Sequence, residues 1–176
     1  MKEALKRLLQ AVRLERDAFV WMDFNDRATA DGLILVAITR IVILLGSGWT
    51  ILGLTTSIGG WEVLVTAVLT TLIFWLAYSG ITFAVSRFLL GGEGQYAIYL
   101  RIVGFAYPTL VLLIFTRQLG IAPVAAFVLG SLWLLAVVTR GISYAADLPI
   151  EKAALAAGGG LIGWIIIASV LNRGLI

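Results

Sequence analysis

Five stretches of about twenty residues, each nearly free of charge, dominate this chain: 33–54, 63–88, 96–116, 121–142 and 153–171. Crossing roughly 30 Å of hydrocarbon at about 1.5 Å per residue takes some 20 residues of helix. Inside lipid, only helices and closed barrels satisfy their own backbone. A barrel strand alternates apolar and polar residues over a short stretch, so these continuous apolar runs exclude it. The predicted fold class is all-α: a polytopic membrane protein, a bundle of five transmembrane helices preceded by a short amphipathic helix. Residues 1–31 form a cytoplasmic, interfacial N-terminal segment, and 32–176 the five-span domain. With 61% hydrophobic and 13% charged residues, against about 25% charged in a typical soluble domain, the apolar surplus needs lipid as its solvent.

The links between runs are short and rich in turn residues: TTSIGGWE, LGGEGQ, RQLG and SYAADLPIEK. Links this short make successive helices antiparallel. Ahead of the first run, Leu5, Leu8, Leu9 and Val12 recur at helical spacing while Lys2, Lys6, Arg7 and Arg13 fall elsewhere on the wheel. Such a helix lies on an anionic membrane surface or packs its leucines on the bundle. Phe19, Trp21, Met22 and Phe24 suit the headgroup level, and Asp26, Thr29 and Asp31 suit the cap or first turn of the first span. The charged lead does not read as a secretory signal, which needs an apolar core after a short basic start.

Basic residues set the orientation. Lys2, Lys6, Arg7, Arg13, Arg16, Arg27, Arg87, Arg140 and Lys152 lie on one side; only Arg117 and Arg173 lie on the other. The enriched side is cytoplasmic. An odd number of spans then leaves the N-terminus cytoplasmic and the C-terminus outside. The pI of 9.5 therefore reports topology, and nucleic acid is not an expected partner. Membrane lipids are, as are another membrane protein or a second copy of the chain. Short loops without Asn-x-Ser/Thr sites agree with a bacterial inner membrane.

The chain has no Cys and no His. Disulfides, thiolate metal sites and Cys nucleophiles are excluded, and the commonest general base and metal ligand are missing. No carboxylate falls inside a run, which speaks against proton-coupled transport. The expected reading is non-enzymatic, with no cofactor and no metal. Gly91, Gly92 and Gly94 lack the Gly-Lys-Ser/Thr ending of a phosphate loop and read as a turn.

The lead LKRLLQAVRLERDAFVWM and the stretch LLGGEGQYAIYLRIVGFAYPTLVLL resemble the Yip1 family, in particular its small bacterial members. Gly91, Gly92, Tyr96, Leu100, Arg101, Gly104, Tyr107 and Pro108 carry the likeness. The resemblance implies five spans, a cytoplasmic N-terminus and a membrane-organising or partner-binding role. Eukaryotic relatives are linked to vesicle traffic and Rab GTPases through a long N-terminal region with an Asp-Leu-Tyr-Gly-Pro type motif. That motif is missing here, so GTPase binding is not carried over.

Two arginines, Arg40 and Arg101, stand inside runs away from their last turn. Arg40 lies about 10 Å into its span and either snorkels to the headgroups or serves an internal polar site. Pro108 has no N–H for the carbonyl of Gly104, so a kink is expected there. Arg40, or failing it Tyr107, is expected to face the third span near Gly104. Arg87, Arg101 and Arg140 join Arg40 as candidates for binding an anionic lipid or ligand; plain positive-inside charge is the other reading. Small residues mark close helix packing: Ala126 and Gly130 in the fourth span, Gly159 and Gly163 in the fifth. The alternative function is a small transporter or channel subunit with a polar site near Arg40 and Pro108.

Overall fold

In the computed structural model, residues 2–46, 59–111, 114 and 123–173 are described, and all regular structure among them is helical. Two short helices come first, α1 (Lys2–Val12) and α2 (Arg16–Phe24). Then come α3 (Arg27–Gly46), α4 (Gly60–Ala84), α5 (Tyr96–Ala106), α6 (Pro123–Ala145) and α7 (Ile150–Arg173). A π-helical turn, Val85–Leu89, extends α4, and a 3-10 turn, Tyr107–Val111, extends α5. Among the described residues four helical stretches are long and apolar enough to cross a membrane: Arg27–Gly46, Gly60–Leu89, Val128–Ala145 and Ile150–Val170. The remaining apolar stretch, Tyr96–Val111, is shorter.

That shorter stretch sits at the centre. Helix α5 packs against α1, α2, α3, α4 and α6. Ile98, Tyr99, Arg101, Ile102, Val103, Gly104, Phe105 and Ala106 are all buried. A helix enclosed by protein satisfies its side chains there rather than in lipid. The outer helices show the opposite pattern: Leu69, Ile73, Leu132, Ile162 and Ile166 point outward, as lipid-facing surfaces require.

Helices α3 and α5 run in the same direction, with Thr29 bonded to Arg101, Gly32 beside Gly104 and Gly46 beside Ile114. Their approach is closest at Gly104, where an added Cβ would lie 2.8 Å from the Gly32 Cα. Ala28, Gly32, Val36 and Thr39 form the buried small face of α3 that admits this contact. On the other side α4 and α7 are antiparallel. Gly159 lies beside Val85, Gly160 against Thr82 and Tyr78, and Gly163 against Ile81. The Gly159 and Gly163 pair thus packs within the chain. Gly130 is buried, and the side chain of Ala126 lies outside the described residues.

Several local expectations change. Helix α3 begins at Arg27, ahead of the apolar run, because Asn25 Oδ1 accepts the Arg27 N–H at 3.1 Å. The cap oxygen is therefore Asn25's, while Asp26 is engaged elsewhere. Phe19 and Met22 are buried core, not headgroup-level residues; Phe24 alone of the four is strongly exposed, at 85%. The leucines of α1 divide: Leu8 packs on the core, and Leu5 and Leu9 stand exposed. At Pro108 the chain tightens into the 3-10 turn, and Thr109 Oγ1 donates to the Ala106 carbonyl at 2.7 Å. Arg117 lies outside the described residues.

Candidate functional site

Among the described residues, Arg101 is the most constrained charge. It is 7% exposed and reaches out of α5 toward the elbow between α2 and α3. Its Nη1 donates to the carbonyls of Met22 (2.8 Å) and Asp23 (3.0 Å). Its Nε donates to Thr29 Oγ1 at 3.0 Å, and its Nη2 meets Asp26 Oδ1 at 2.6 Å. Four of the five guanidinium N–H groups are thereby used. Met22 and Asp23 belong to the last turn of α2, where carbonyls lack helical partners and the dipole favours a cation. One side chain thus caps α2, holds the first turn of α3 and ties both to the central helix. Lysine, with a single nitrogen, could not span the same set.

Arg40 has a different environment. Its Nε is buried and has no hydrogen-bond partner. Among the described residues Arg40 makes no hydrogen bond or ion pair. It lines a cavity of about 420 Å³ with Phe74, Tyr107, Leu110, Leu135 and Trp164, among others. Arg40 therefore turns into the bundle rather than snorkelling. It does not meet Gly104, whose neighbour is Gly32. Arg40 lies eight residues, about 12 Å, further along α3. The expected pairing fails because α3 and α5 are in parallel register, so Arg40 is level with the 3-10 turn. Tyr107, not the Gly104 carbonyl, shares its cavity. Insertion of an uncompensated arginine near a helix centre costs about 2.5–3.5 kcal/mol.

Arg140 and Arg16 hold Tyr144 from two helices, with guanidinium carbons 4.6 and 5.7 Å from the ring centroid. Phe19 stacks on the same ring at 6.0 Å. Arg87 is exposed and donates to the Gly92 carbonyl at 3.4 Å. The candidate arginines are therefore not gathered in one pocket. Arg101 is consumed by the elbow, Arg140 by an aromatic ring, Arg87 by the glycine turn, and Arg40 faces the cavity.

The glycine turn is built into the core. Ser86 Oγ and Tyr99 Oη are 2.6 Å apart, and Gly92 N donates to the Ser86 carbonyl at 2.9 Å. A Cβ on Gly92 would meet Ser86, Leu148 and Ala146, and one on Gly94 would meet Tyr99. Glycine here permits close backbone approach, and the π turn re-aims the end of α4 to allow it. Phe88 and Leu89 are left exposed, at 77% and 75%.

Sequence reasoning missed Gly32, and it placed Thr29 in the first turn of the span without its bond to Arg101. The spacing of Ala28, Gly32, Val36 and Thr39 carried the signal as one small-residue stripe on α3. Among the described residues no group of three or more His, Cys, Asp or Glu side chains is placed to hold a metal.

The architecture defines the class: an α-helical protein with several helices suited to crossing a membrane. No family model, no curated protein and no solved structure matches the chain.

Proposed function

We propose that this is a five-span, Yip1-like protein of a bacterial inner membrane, with its N-terminus cytoplasmic and its C-terminus outside. In this reading it is not an enzyme. It organises membrane, or binds protein partners or anionic lipids, through its basic cytoplasmic face. One observation carries the proposal. At the end of the bundle formed by α1, α2, the π turn and the α6–α7 link, Leu5, Leu9, Phe24, Phe88 and Leu89 stand exposed. Exposed Lys2, Lys6, Arg13, Arg16 and Arg87 stand on the same elements or the α1–α2 link, interspersed with exposed Glu3, Glu15, Asp17 and Asp23. Apolar side chains among cations are what an anionic headgroup layer accepts.

Native mass spectrometry of protein released from mixed bilayers tests this. Wild type should retain phosphatidylglycerol over phosphatidylcholine. A variant with Lys2, Lys6, Arg13 and Arg16 all changed to Gln should lose that preference. Equal retention of both lipids by wild type would defeat the lipid-binding reading.

The second reading, a small transporter or channel subunit, has the Arg40 cavity in its favour. Its described walls are apolar apart from Arg40, Tyr107 and Ser131, which suits a hydrocarbon better than a hydrated solute.

A further inference from the structure

We infer that the Arg40 cavity is a binding site for a single-chain anionic amphiphile, a long-chain carboxylate, that enters sideways from the bilayer. The site is separate from the basic face, so either proposal can fail without the other.

The cavity lies between α3, α4, α5, α6 and α7, with walls from Phe74, Leu110, Leu134, Leu135, Leu161 and Trp164. Val128, Leu132 and Ile165 also line it, and all three are exposed on the outer surface of the bundle. That surface faces lipid if the long helices cross a membrane, so the mouth opens toward acyl chains. A volume of about 420 Å³ is near the lower end for small-molecule sites, roughly 300–1,000 Å³. It has room for one hydrocarbon chain and not for the paired chains of a phospholipid.

Arg40 sets the sign of the ligand. Its Nε is buried without a partner, in walls that offer no carboxylate. A guanidinium in this setting calls for an anion with two oxygens able to take parallel N–H bonds. Tyr107, from the 3-10 turn, and Ser131, from α6, add hydroxyl-bearing side chains to the lining, the Tyr107 hydroxyl within reach of Thr71. One cation with two neutral donors balances a single negative charge. That matches a carboxylate better than a dianionic phosphate monoester. The carboxylate would sit at Arg40 and Tyr107, with its chain running past Leu135 and Trp164 to the mouth.

The test uses the full chain in lipid nanodiscs and a sixteen-carbon fatty acid bearing a mid-chain photoreactive diazirine. After irradiation, adducts should concentrate on peptides containing Phe74, Leu135 or Trp164. Excess palmitate should compete, and hexadecanol, equal in length and uncharged, should not. Hexadecyl phosphate serves as the third arm; stronger competition by it than by palmitate would overturn the carboxylate assignment. Arg40→Gln should lower specific labelling at least tenfold. Leu132→Trp, at the exposed rim, should lower it similarly by blocking the mouth while leaving the charge in place. Melting curves of both variants separate loss of the site from loss of the fold. Equal competition by hexadecanol, or undiminished labelling of a folded Arg40→Gln protein, would reduce the cavity to a passive slot for lipid tails and refute the inference.

Discussion

Replacing Arg101 by methionine should release α2 from the bundle without dissolving the bundle itself. The side chain keeps an unbranched apolar stem, though a shorter one, and loses four hydrogen bonds. Two of these run from a charged donor to carbonyls at the end of α2, where no helical partner replaces them. Hydrogen bonds to charged groups contribute about 1.5–3 kcal/mol each, so these two set a lower bound near 3 kcal/mol. At a factor of ten per 1.4 kcal/mol, amide protection in Arg16–Phe24 should fall about a hundredfold. Protection in α4 and α7 should change little, because their contact through Gly159, Gly160 and Gly163 is remote from the elbow. Hydrogen exchange read by mass spectrometry in nanodiscs resolves the two regions. Asp26→Asn provides the internal control. Its side chain is fully exposed, so water replaces the lost charge and exchange in α2 should barely move. Arg101→Lys should fall between the two, since one ammonium cannot reach every acceptor. If Asp26→Asn matches Arg101→Met, the ion pair rather than the helix cap holds the elbow, and the reasoning is wrong. Unchanged exchange in α2 of Arg101→Met would refute it outright.

Other outcomes follow from the same geometry. Gly104→Ala should lower thermal stability markedly, since its Cβ would meet Gly32 backbone at 2.8 Å; Gly32→Ala, with its nearest atom at 3.5 Å, should be far milder. Gly158→Ala, with nothing within 4 Å, should be neutral or add up to about 1 kcal/mol through helix propensity, whereas Gly160→Ala collides with Thr82 and should destabilise. Tyr144→Phe should retain stability and Tyr144→Leu should lose about 1–2 kcal/mol, two cation–π contacts at roughly 0.5–1 each, read by chemical denaturation. The chain contains no cysteine, so single Cys substitutions at Lys2, Glu62, Glu93 and Lys152 can be labelled in spheroplasts. The proposed orientation has only Glu62→Cys reacting with an impermeant reagent from outside.

The long apolar helices were legible because each carries its own signal: α4, α6 and α7 lie within a few residues of their predicted runs. The role of α5 was not legible. Its composition reads like another span, while its burial on every side depends on partners from across the chain. Phe19 and Met22 illustrate the same limit. An amphipathic stretch can turn its apolar face to lipid or to protein, and only the docking of α2 on α5 and α6 decides. Arg40 was singled out by its depth, but the parallel register that removes it from Gly104 is a tertiary fact. It follows from the glycine contact at Gly32, two turns earlier. The elbow role of Arg101 was not legible for a related reason: two of its four acceptors are main-chain carbonyls, which leave no trace in side-chain identity.

The elbow also bears on how the chain is made. Every acceptor of Arg101 lies between Met22 and Thr29, more than seventy residues nearer the start of the chain. During synthesis the receptacle is therefore finished before its guest leaves the ribosome. Tyr96–Val111, short and burdened with an arginine, is a poor candidate for entering a bilayer unaided. In the proposed five-span reading, α3 is already in place and gives it a prepared partner to enter beside. Moving residues 1–31 to the other end of the gene would keep every contact available in principle, yet it would leave the arginine waiting in hydrocarbon for acceptors still to be translated.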